Sequence, residues 1–239
     1  MSEPLHSDSA PRSAAVVVRL GATSINLNGP LIVFPILIIL SLLGLVVYLI
    51  SRTSQTMLWV SAILWIAFIG YWSAVAGNAA ATKSSEASAS RQLHQLLMYG
   101  ALTLAFIRLP GLDRRWLPLA SYLIPIGLGV QIGSALLAVW ARRHLGRNWS
   151  GAITSKVGHQ LIRTGPYRLI RHPIYTAMLG MFLGTAIVSG ELHGLLALVL
   201  ISAAYWRKIP LEEEHLKTVF GDRYDDYRQK TWAVIPWIF

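Results

Sequence analysis

At 239 residues, with 13% charged and 54% apolar side chains, the chain is too poor in charge and too rich in apolar surface for an ordinary soluble domain. It has no cysteine, which excludes disulfides, cysteine-ligated metals and thiol nucleophiles. A net charge of +10 suits nucleic acid or anionic lipid, and the distribution of that charge decides between them.

Residues 1–29 are polar and rich in small residues, with Pro4, Pro11 and then Pro30 as breakers. They lack a signal peptide's order of charged start, apolar run and small-residue cleavage site. A flexible N-terminal tail is expected there, with Val16 to Val18 at most a short interfacial piece. A membrane span needs roughly 20 apolar residues. Residues 31–50 and 57–77 qualify, joined by a Ser/Thr-rich turn at 52–56. Residues 78–91 carry Lys83, Glu86 and Arg91 and are expected to form a loop. The next run, 96–107, is shorter and is ended by Arg108 and Pro110, whereas 117–140 is long enough to span with some tilt. Two further apolar runs, 173–189 and 192–206, have only Gly190 and Glu191 near their junction, which predicts a tight helical hairpin over 173–206.

The expectation is therefore an all-α, polytopic membrane protein with about six transmembrane helices. Four lie in 30–140, and 141–239 forms a C-terminal region of its own. With both termini on the cytoplasmic side, seventeen Lys and Arg fall inside and four (Arg52, Arg108, Arg114, Arg115) outside. Topology and attraction to the inner leaflet account for the basic balance, so nucleic acid is not needed as a partner. Nine Trp and nine Tyr, several near the ends of apolar runs, fit interfacial positions.

The polar residues that topology leaves over fall in two cytoplasmic stretches. One runs from His159, Gln160, Leu161 and Ile162 through Gly165-Pro166-Tyr167 to His172-Pro173-Ile174-Tyr175. The other holds Arg207, Lys208 and Glu212–Glu214, then Phe220-Gly221, Tyr224, Tyr227 and Pro236. The hairpin returns the chain to the face it left. The 141–172 loop and the C-terminal segment are thus expected to meet and to form a cytoplasmic pocket over a membrane opening.

In order, Gly-Pro-Tyr-x4-His-Pro-x-Tyr, Glu-Glu and Phe-Gly-x2-Tyr-x2-Tyr resemble the isoprenylcysteine carboxyl methyltransferases and the related phospholipid methyltransferases, over roughly 141–239. The resemblance implies S-adenosylmethionine as cofactor. It places His159, Gln160, Leu161 and Ile162, Tyr167, His172, Pro173, Ile174 and Tyr175, and the first acid of the pair, Glu212, against that cofactor. The family's substrate-orienting arginine stands four residues before that acid, where this chain has Lys208, with Arg207 beside it. An arginine grips a carboxylate through two parallel hydrogen bonds, whereas a lysine offers a point charge. The resemblance favours a carboxylate on a prenylated thiol compound as acceptor, and a phospholipid amine or a small thiol remains open. An ionised carboxylate needs no base. An amine or thiol must lose a proton, and His172 is the nearby side chain of a type that exchanges protons near neutrality.

Plainer readings stand beside these. His159 and His172 lack a third ligand at metal spacing, so no metal site is expected. Arg163, Arg168 and Arg171 suit interfacial anchors. Apart from the resemblance, Glu212–Glu214 suit a solvated first turn after Pro210, stabilised by the helix dipole, and Tyr224 and Tyr227 suit packing on one helix face. An NADPH-dependent sterol-type membrane reductase and a non-catalytic membrane scaffold are the competing functions.

Overall fold

In a computed structural model of the chain, residues 17–20, 23–26, 56–76, 82–85, 88–118, 120, 122–149, 153–156 and 160–236 are described. The expected span at 31–50 and the candidate His159 lie outside them.

The chain divides into two units, residues 1–43 and 44–239. In the first, within the expected tail, β1 (Val17–Leu20) pairs antiparallel with β2 (Thr23–Asn26), Val17 opposite Asn26 and Leu20 opposite Thr23.

The second unit is helical. Its helices are α1 (Thr56–Ala76), α2 (Ser88–Phe106), α3 (Leu123–Leu145), α4 (Pro173–Ser189), α5 (Leu192–Phe220) and the short α6 (Asp222–Gln229). Among the described residues, α1, α3 and α5 are long and apolar enough to cross a membrane, and α4 is a shorter apolar helix of 17 residues. At 1.5 Å per residue, the 21 residues of α1 reach about 32 Å, the thickness of a hydrocarbon core. Large apolar side chains stand exposed around these helices, Ile63 on α1, Leu136 on α3 and Trp206 on α5 among them. Water would penalise such a surface, and lipid does not.

Three boundaries differ from the sequence expectation. α2 begins at Ser88, eight residues before the apolar run, because a polar first turn costs nothing outside the membrane. α3 starts at Leu123 and runs through Arg142 and Arg143 instead of occupying 117–140. The amides of Trp116 and Leu117 donate to the Gly190 carbonyl instead, which ties that segment to the α4–α5 turn. Finally, α5 continues past Trp206 and through Pro210 to Phe220. The connecting segments are not wholly irregular either. Thr82–Ser85 (β3) pairs antiparallel with Thr154–Lys156 (β4), a short ladder added to an otherwise helical unit.

These pairings fix the sides of the bundle. β3 follows α1 and β4 follows α3, so both loops lie at one end. At the other end Leu192 and His193 donate to Arg114 and Leu112, which joins the 107–118 loop to the α4–α5 turn. That turn is closed by Gly190 in the left-handed region (φ 61°), as the tight hairpin predicts.

The core lies between α4 and its neighbours. α3 packs most extensively on α4, and the backbones come close at Gly127 and Gly184. A Cβ on Gly127 would sit 2.8 Å from the Gly184 carbonyl oxygen. α1 docks through buried polar contacts: Trp65 Nε1 donates to Thr185 Oγ1 (2.9 Å), and Gln131 Nε2 to the Ser61 carbonyl (3.1 Å). Met181, Phe182, Ile201 and Tyr205 fill the space between α4 and α5.

Candidate functional site

The first motif folds into a tight entry to α4. Gly165 adopts φ 60°, a region open to glycine, and starts the 3₁₀ turn Gly165–Arg168. His172 has an extended φ of −120° and precedes Pro173, which opens α4 at the first position, where a missing N–H is not felt. The C-terminal segment runs alongside: Arg171 N donates to Trp232 O (2.8 Å), His172 N to Ala233 O (3.0 Å), and Thr176 Oγ1 to Val234 O (2.7 Å). Backbone pairing thus sets the position of His172.

The second motif lies on α5 itself. Ile201, Ala204, Tyr205, Lys208, Ile209 and Glu213 are all buried, and they recur at helical spacing along one stripe. Glu213 therefore extends the buried stripe, with Glu212 half-buried beside it and Glu214 exposed; the residues lie in the middle of α5, which corrects the reading of a first turn after Pro210. Pro210 faces outward and is tolerated inside the helix there, at the cost of one backbone hydrogen bond.

Where the two motifs meet, two carboxylates divide the work. Tyr175 Oη donates to Glu212 Oε2 at 2.5 Å, with His172 Nδ1 3.7 Å from the same oxygen. Glu213 Oε1 accepts from Arg171 Nε (2.7 Å) and lies 3.3 Å from His172 Nε2, while Glu213 Oε2 lies 3.3 Å from Arg228 Nε. Arg171 also donates to the Thr231 carbonyl. Burial alone would raise the Glu213 carboxyl, but the hydrogen bonds from His172 and Arg171 outweigh it and hold it at about 2. Arg171 is thus an internal ion-pair partner, which corrects its reading as an interfacial anchor.

A stack of rings crosses the site. His172 and Tyr175 lie parallel with centroids 5.2 Å apart, Tyr175 and Tyr205 are stacked at 4.4 Å, and His94 of α2 leans on Tyr205 at 5.5 Å. Lys208 Nζ stands 6.0 Å from the Tyr175 ring centroid. Tyr167 is buried, and its carbonyl accepts from Tyr227 Oη (2.6 Å). Burial first, then the nearby Glu212, pushes the Tyr167 phenol upward. Tyr224 and Tyr227 are buried packing residues, as their spacing suggests.

Of the expected residues, His172, Pro173, Tyr175, Lys208 and Glu212 come together, and Tyr167 is close to Glu212. Ile174 is half-buried against the apolar core. Leu161 and Ile162 line an open cleft of about 530 Å³ with Arg163, Thr164 and residues at the start of α6, and the Gln160 amide donates to Asn148 Oδ1 (3.1 Å). Arg207 turns away from the stack and donates to Ser90 Oγ on α2 (2.9 Å), so it does not share the position of Lys208. Tyr205 and His94 are the members that motif reasoning missed, and Glu213 was named without a role. The stripe on α5 would have found Glu213 and Tyr205.

Residues 123–223 match the family described as phospholipid methyltransferase. The chain is 28% identical over 135 residues to protein-S-isoprenylcysteine O-methyltransferase B of Arabidopsis thaliana, covering 54% of this chain and 64% of that protein. It is 33% identical over 99 residues to protein-S-isoprenylcysteine O-methyltransferase of Schizosaccharomyces pombe, covering 39% of this chain and 41% of that one. The chain therefore spans less than two thirds of the length of either relative. Its fold is similar to the solved structure of a eukaryotic intramembrane Ras methyltransferase, isoprenylcysteine carboxyl methyltransferase. The TM-score is 0.55 at 21% identity, over 85% of this chain and 74% of that one.

Proposed function

From the match to the phospholipid methyltransferase family and the similarity to isoprenylcysteine O-methyltransferases, we propose that the chain is a member of the isoprenylcysteine carboxyl methyltransferase family, an integral membrane enzyme that transfers a methyl group from S-adenosylmethionine to a lipophilic or small acceptor. The observation that carries this reading is the Tyr175–Glu212 hydrogen bond, because it joins the two motifs at one point. The residues there suit the cofactor. A half-exposed carboxylate beside stacked aromatic rings attracts an ammonium or sulfonium cation and can accept from a ribose diol. Glu212, Tyr167, His172 and Tyr175 would hold it, with Gln160, Leu161 and Ile162 along its approach. When bound, the cofactor supplies an already activated methyl group. The chain's residues need only position the acceptor and exclude water, without an acid or a metal.

On this reading Lys208 orients the acceptor, and Arg207 supports it by tying α5 to α2. The acceptor is a carboxylate on a prenylated thiol compound, as the relatives' names suggest. Six spans, a cytoplasmic pocket and cytoplasmic termini complete the proposal. The cofactor enters from the cytosol, and a lipophilic acceptor arrives between helices. Purified protein is expected to bind labelled S-adenosylmethionine and to methylate one member of a panel of prenylcysteine, phosphatidylethanolamine and thiol acceptors, read by mass spectrometry. Binding of NADPH with no affinity for the methyl donor would sink the proposal. Glu212→Gln should weaken donor binding by about tenfold or more, since it removes the anion that faces the cation.

A further inference from the structure

Between α2 and α5 lies a buried histidine that the site as described leaves without a role. His94 is 6% exposed, and its Nδ1 is buried with no hydrogen-bond partner among the described residues. An orphaned buried polar atom in a native structure demands a reason. The ring's N–H goes to the Ala204 carbonyl, which can only accept, so the other nitrogen presents a lone pair. The charges bearing on the ring are Lys208 and Arg207, both cations, and Tyr205 is the titratable side chain packed on it. Burial first, then those two cations, hold the imidazole near 3 and neutral.

Glu212 and Glu213 stand beside His172, whereas the charges that act on His94 are the two cations Lys208 and Arg207. Lys208 is 5% exposed and stands over the ring next in the stack to Tyr205. A buried lysine and a half-buried arginine acting on an orphaned nitrogen make a place for an anion.

We infer that His94 is a further member of the acceptor subsite, where it and Lys208 together receive the carboxylate of the methyl acceptor. As the anion enters, the Nδ1 lone pair takes a proton from solvent, and the resulting N–H donates to the carboxylate. Two point donors on different helices then supply what one arginine fork supplies elsewhere. This deepens the methyltransferase reading and rests on it.

The test uses the full chain in detergent with two probes: N-acetyl-S-farnesylcysteine, which carries one carboxylate, and its methyl ester, which carries none. Protons are counted with an indicator dye in weakly buffered solution at mildly acidic pH, and donor binding is measured on the same samples. The acid should take up about one proton per molecule bound and the ester none. His94→Asn and His94→Phe should abolish the uptake and weaken the acid about tenfold or more, with donor affinity held. Acid binding without uptake, uptake that survives both substitutions, ester binding as tight as the acid, or a donor-competent protein that ignores the acid would each overturn the inference. So would loss of donor binding in both variants, which would make His94 a structural residue. Absence of donor binding in the unaltered protein would instead bring down the methyltransferase reading, and this inference with it.

Discussion

Arg171 and Glu213 have side chains only 9% exposed, and their 2.7 Å contact is the tightest of the charge contacts on Glu213. Glu213→Gln leaves the guanidinium buried with a weaker partner, and breaking a buried pair costs about 3–5 kcal/mol. A large fall in the thermal midpoint in detergent is expected. Glu213 also makes stability depend on pH. Its folded-state value of about 2 lies below the ordinary 4.5, so the ionised form is the one stabilised. That contribution is complete above about 4.5 and is lost as the pH falls toward about 2. The thermal midpoint should drop across that acid window, and the drop should be smaller in Glu213→Gln. The Glu-Glu motif contains Glu213 but assigns a role only to Glu212. The role of Glu213 was not legible, because its partners Arg171 and Arg228 stand 42 residues before and 15 after it, and only folding brings them together.

The α3–α4 seam depends on two helices whose backbones nearly touch. A Cβ on Gly184 would lie 2.5 Å from the Gly127 carbonyl oxygen and 2.8 Å from the Gln131 amide nitrogen, and neither backbone atom can move aside. Gly184→Ala is expected to destabilise by about 1–3 kcal/mol, an overpacking cost, with a lower thermal midpoint and weaker donor binding as the readouts. The C-terminal segment is an element in its own right, because it holds the backbone at Arg171, His172 and Thr176. A chain cut after Lys230 should lose donor affinity by about tenfold or more while the membrane helices remain protected from protease. The hairpin was legible at this scale, because Gly190 can end one helix and two apolar runs flank it. The course of α5 was not. Pro210 reads as a helix start, yet on the outward side of a helix buried along one stripe it removes a single hydrogen bond, which packing outweighs.

Over the second unit, both ends of the bundle are tied by backbone pairing, β3 with β4 at one and the 107–118 loop with the α4–α5 turn at the other. The lack of cysteine makes the orientation directly testable. In otherwise unaltered protein, a cysteine at Asp113 should react with an impermeant maleimide from outside sealed cells, and one at Glu214 only after lysis; the reverse pattern would invert the proposed topology. Composition by itself determined that the chain is a helical membrane protein, because desolvation in lipid is a property of each residue summed along a segment. The ordered motifs carry the resemblance to the methyltransferases for the same local reason. Only the tertiary structure decided that Arg207 parts from Lys208, that Glu213 gathers the charges, and that His94 joins the site. Those contacts cross between helices far apart in the chain, and only packing sets their geometry.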